Sequence, residues 1–144
     1  MRTLSRHLLP LAASTTLVLA TACGGDETQS PADDHTPVRY SVLIDNVEAT
    51  PPFNLTAGDT VTVRFKFFNA ADEDLDTVES SHFAGLTFTP TSLATVERDA
   101  THHFQFDVAP ETAGNGSLVV SYGHDEQADE TAFPAAVVIV HAAP

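Results

Sequence analysis

The residues of this chain best suited to chemistry are its histidines and its one cysteine. Beyond His7 they are His35, His82, His102, His103, His124 and His141, with Cys23 as the lone thiol. Two of the histidines end stretches that alternate with period two. Residues 101–108 put His102, Phe104, Phe106 and Val108 on one side, and residues 118–122 do the same for Leu118, Val120 and Tyr122. If residues 109–116 turn these two strands into a hairpin, matching their apolar faces pairs Val108 with Leu118 and Phe104 with Tyr122. That register sets His102 opposite His124. Paired Cβ atoms lie about 5 Å apart, within reach of one shared metal ion. Asp125 follows directly, and His82 is available from a third strand. Imidazoles with a carboxylate suit Zn²⁺ or Cu²⁺. The competing arrangement has His102 and His124 capping the core while the acids stay solvated. The sequence favours it, because a one-residue slip separates the pair.

A second cluster, Asp72-Glu73-Asp74-Leu75-Asp76, opens like a calcium loop on Asp72, Asp74 and Asp76. Thr77 stands where an EF-hand needs glycine and Phe83 where it needs glutamate, so the EF-hand is excluded. A weak Ca²⁺ site remains open beside the favoured reading, a solvated acidic loop. Ser80 and Ser81 precede His82, but neighbours on a strand face opposite ways, and no orienting acid is specified. There is no G-x-S-x-G, P-loop, H-E-x-x-H or C-x-x-C. The expectation is a non-enzymatic protein.

Cys23 has a different context. Arg2 and Arg6 precede the mainly apolar residues 8–20, a run shorter than the roughly 20 residues needed to span a bilayer. This reads as a secretory signal peptide over residues 1–22. Ala20-Thr21-Ala22-Cys23 resembles the lipobox of bacterial lipoproteins, with Ala20 where leucine is usual. The resemblance implies cleavage before Cys23, diacylglycerol on its thiol and anchorage through the N-terminus. Gly24 rather than Asp after it implies sorting to the outer membrane. Residues 23–37 then make a Gly-, Pro- and acid-rich flexible linker.

Composition narrows the partners. Acids outnumber bases 20 to 6, for a formal charge of −14, and two of the bases sit in the leader. Such a surface repels nucleic acid and draws cations. With one cysteine no internal disulfide can form, so stability must come from the core and the sheet.

The elements that position these residues read as strands throughout. Val61, Val63, Phe65 and Phe67 take one face of the clearest strand while Thr60, Thr62, Arg64 and Lys66 take the other. Shorter strands fall at residues 38–44, 83–89, 93–97 and 135–140, separated by Pro and Gly turns. No helix is indicated. The fold expected over residues 38–144 is all-β, an antiparallel β-sandwich of seven to eight strands. Pro90-Thr91-Ser92-Leu93-Ala94-Thr95-Val96 and Ala113-Gly114-Asn115-Gly116-Ser117-Leu118-Val119-Val120 are similar to bacterial Ig-like domains of the invasin and intimin type. That resemblance implies an Ig-like sandwich. Thr56-Ala57-Gly58-Asp59-Thr60-Val61 also resembles a cupredoxin turn, but no Cys or Met follows Cys23 to complete a type 1 copper site. The leading functional expectation is a lipid-anchored envelope module with a structural or binding role. The alternative is an envelope protein binding Zn or Cu at the histidine end.

Overall fold

The computed structural model describes residues 35–144. The leader, Cys23 and the linker through residue 34 lie outside the described residues. The described chain is all-β, with ten strands in two packed sheets. The strands are β1 (Arg39–Ile44), β2 (Val47–Ala49), β3 (Phe53–Thr56), β4 (Val61–Phe68) and β5 (Phe83–Thr89), then β6 (Ala94–Arg98), β7 (Gln105–Pro110), β8 (Gly114–Gly123), β9 (Thr131–Ala132) and β10 (Ala136–His141). One sheet runs β2-β1-β4-β7-β6; the other runs β3-β10-β8-β5, with β9 added on β8. The sandwich expected from the sequence is the fold observed. The strand count is higher because short β2 and β9 carry too few residues to show a period.

The alternation of β4 is what builds the core. Val63, Phe65 and Phe67 are buried, while Thr62, Arg64 and Lys66 face outward and are only half-buried. A residue every second position on each sheet turns inward, so the two apolar faces interdigitate. Phe67 stands at the centre, with Phe104 and Tyr122 rings each 5.0 Å from its own. Phe65 meets Phe106 edge-on at 5.8 Å. Such crossed aromatic contacts add to area burial.

Three departures from the sequence reading have clear causes. First, β7 pairs with β4 and β6, whereas β8 pairs with β5 and β10. The two strands do not form a hairpin. Their apolar faces match because they meet across the core, and period-two alternation is identical for side-by-side and face-to-face strands. Second, Asp45 and Asn46 both have positive φ, at 50° and 65°, and turn β1 tightly into β2. Two left-handed residues make the primed turn that a two-residue hairpin loop requires. Third, β3 lies parallel to β10, so that sheet is mixed rather than purely antiparallel.

Residues 69–81 are also more than a solvated loop. Asn69 Oδ1 accepts the N–H groups of Ala71 and Glu73, both at 3.0 Å. Leu75 is buried and its N–H donates to Phe67 O, which with the Phe68–Asp74 bridge pairs the segment against the end of β4. A short 3₁₀ helix, Asp76–Ser81, then leads to β5.

Candidate functional site

The 3₁₀ helix delivers His82 to the end of the sandwich. His82 is extended and only 3% exposed, with its ring stacked on Tyr122 at 5.2 Å and 20°. Its Nδ1 lies 3.1 Å from Val78 O. A carbonyl only accepts, so Nδ1 carries the proton and Nε2 keeps the lone pair. That Nε2 is buried with no hydrogen-bond partner. Burial first, and then the neighbouring His124 and His35, hold the His82 imidazole below its ordinary range.

His124 follows β8 directly, and its ring centroid is 4.1 Å from that of His82. Its Nδ1 approaches both Glu130 oxygens, at 2.7 and 2.6 Å. Glu130 also accepts the His124 N–H at 3.2 Å, while its own N–H donates to Tyr122 O. The ring hydrogen bond from His124 holds the Glu130 carboxyl below its usual range. Here too Nδ1 is the donor. The turn that places Glu130 depends on Gly123, where an added Cβ would lie 2.9 Å from Ala128 Cα. A third ring, His35, stands edge-on to His82 at 5.8 Å.

The structure thus brings together two of the candidate ligands, His82 and His124, but not the register that joined His102 to them. His102 is turned out to Asp99, with Nδ1 3.3 Å from its carboxylate. Asp99 also accepts the N–H groups of His102 and Thr101, which keep its carboxyl low. The hairpin that would have set His102 against His124 is replaced by strands in opposite sheets. Asp125 Oδ1 accepts the Gln127 N–H at 3.1 Å and so shapes its own turn. Glu130 and His35 stand beside the rings, in the places that the sequence assigns to Asp125 and His102. His141 sits at the far end of β10, bonded to Asn54.

Ser81 does reach His82, contrary to the strand argument, because it ends a 3₁₀ turn rather than lying on a strand. Its Oγ is 3.0 Å from His82 Nδ1. That nitrogen is already protonated toward Val78 O, so it cannot accept the hydroxyl proton as a general base must.

The three calcium candidates are drawn to three separate cations. Asp72 pairs with Arg39, Asp74 with Lys66 at 3.3 Å and Asp76 with Arg64 at 3.2 Å. For Asp74, burial is outweighed by the Asp76 N–H and by Lys66, so its carboxyl is held low. Burial and the charge of Asp74 push the Asp76 carboxyl up. Among the described residues, no three His, Cys, Asp or Glu side chains already stand at metal-ligand spacing. Among the same residues no helix is long and apolar enough to cross a membrane. A groove of about 350 Å³ lies away from the histidines, against Tyr40, Val42, Glu48, Ala49, Pro51 and Phe53.

No family model matches the chain, and no curated protein does. Among solved structures it is similar to domains 4 and 5 of the S-layer protein SbsC, at 14% identity and a TM-score of 0.47 over 74% of this chain and 54% of that one. It is similar to domains 5–6 of SbsC at 14% identity and 0.47, over 73% and 45% of the two chains. For SbsC domains 1–6 the figures are 14% and 0.48, over 76% and 14%. The chain spans about half the length, or less, of each of these structures.

Proposed function

We propose that this chain is an exported protein held to a bacterial outer membrane by lipid on Cys23, and that its acidic β-sandwich serves as a non-enzymatic structural or binding module. The observation that carries the proposal is the run Ala20-Thr21-Ala22-Cys23-Gly24, which closes an apolar segment on the chain's lone thiol. The diacyl group on the thiol with an amide-linked chain on the new N-terminus would supply the more-than-one-chain anchoring that stable attachment requires. The first strand begins at Arg39, which leaves room for a spacer between the anchor and the domain. At about 5–6 Å × √n, a spacer of this length reaches roughly 20 Å from the headgroups. The non-enzymatic part of the reading is supported by Ser81 and His82, because the nitrogen that Ser81 Oγ meets is committed to Val78 O and cannot take the hydroxyl proton.

The test is membrane fractionation with and without a lipoprotein signal peptidase inhibitor. The wild-type protein should partition with membranes, the inhibitor should accumulate the uncut form, and Cys23→Ser should leave the membrane fraction. A Cys23→Ser protein that still fractionates with membranes overturns the anchor.

A further inference from the structure

We propose that His82, His124 and His35 form a site for a divalent transition metal, with Zn²⁺ the ion best suited to it and Glu130 as the positioning residue for His124. The two central imidazoles present the same face of their chemistry. Each has its Nδ1 committed to an oxygen, Val78 O for His82 and Glu130 for His124. Each therefore leaves Nε2 as its ligating nitrogen, the one that binds metal when a carboxylate or carbonyl holds the other ring edge. The Nε2 of His82 is buried and bonded to nothing, an arrangement that a metal would satisfy.

The spacing agrees. Zn–N bonds of about 2.0–2.1 Å place two imidazole centroids on one tetrahedral ion about 5 Å apart. The observed centroid distances, 4.1 Å for His82–His124 and 5.8 Å for His35–His82, lie on either side of that value. His124 is about half exposed, at 54%, and gives an ion a way in. The turn beyond it carries Asp125, Glu126 and Asp129, whose field concentrates cations there. His35 lies on the stretch that leads from Cys23 into β1, so a bound ion would fasten that stretch to the end of the sandwich. The site is independent of lipidation. Zinc binding can fail with membrane attachment intact, and the reverse.

The full-length chain, purified in detergent and stripped with a chelator, should be titrated with ZnCl₂ by calorimetry. One equivalent of Zn²⁺ should bind. His124→Ala and His35→Ala remove exposed side chains and leave the core in place, and each should weaken binding at least about tenfold. Glu130→Gln should weaken it by about 10–100-fold, as loss of an outer-shell partner does. His102→Ala and His141→Ala should bind as the wild type does. Co²⁺ substituted for Zn²⁺ should give the visible absorption of a tetrahedral site in the wild type, and that band should be lost in His124→Ala. Absence of saturable binding overturns the site. So does a His124→Ala or His35→Ala protein that binds like the wild type, or a His102→Ala protein as weakened as they are.

Discussion

His82 and Asp76 stand at the two ends of one short helix and illustrate how single residues set the behaviour of this domain. His82 is buried with its Nδ1 proton committed to Val78 O, so the nitrogen beside Ser81 Oγ cannot take that hydroxyl's proton. Asp76 is the opposite case, a carboxylate held where its charge is costly. Its Oδ2 meets Arg64, but Oδ1 is buried with no partner, and Asp74 stands close. Because the folded carboxyl titrates above its unfolded value, folding favours the protonated form. The stability this group contributes is present in full below the ordinary carboxylate range and is lost as pH rises through the folded value. Asp76→Asn should therefore be at least as stable as the wild type at neutral pH, since Arg64 keeps Glu79 at 3.6 Å. It should also lose the wild type's relative gain on acidification. Urea unfolding midpoints at pH about 4 and about 7 would check this. A loss above about 1 kcal/mol at neutral pH would mean that the Arg64 pair outweighs the burial of Asp76.

At the scale of elements, the close approach of β8 to the turn before β6 is decisive. An added Cβ at Gly116 would collide with Thr89 O and the Leu93 side chain, whereas at Gly114 it would meet only Leu93 Cδ2 at 3.7 Å. Gly116→Ala should cost about 1–3 kcal/mol in denaturant unfolding, as overpacking does, while Gly114→Ala should be close to neutral. The alternation of residues 118–122 is legible in the sequence, but Gly114 and Gly116, which read there as part of a turn, lie inside β8; β4 is legible in full because its long alternation admits one reading. Which strand lies beside which is not legible. Phe106, Val108, Leu118 and Val120 alternate in the same way whether their strands pair or face each other across the core. That ambiguity is what sets His102 against His124 on paper. The true neighbour, His82, is set by a 3₁₀ turn that carries no hydrophobic period. Glu130 reaches His124 through a hairpin closure whose only sequence trace is the gap between them. The Asp45-Asn46 turn does carry a signal, two residues tolerant of positive φ between apolar runs, and it marks β2.

For the whole molecule, a core of crossed aromatic rings replaces the disulfides that a one-cysteine chain cannot make. Phe67 is fully buried and touches four other rings, so Phe67→Ala should cost about 3–5 kcal/mol, measured by chemical or thermal unfolding. The basic residues of the described domain are engaged within it: Arg39, Arg64 and Lys66 pair with acids, Arg39 and Lys66 at the surface, and Arg98 donates to Ala84 O and Glu126 O. The outward charge is left strongly negative. The central claim is attachment at Cys23, and intact-mass and peptide mass spectrometry of the protein extracted from membranes tests it most directly. The expected result is a mature chain that begins at Cys23 and carries a diacylglyceryl group on the thiol with an acyl chain on the new amine. A chain that begins elsewhere, or a Cys23 with a free thiol, would contradict it.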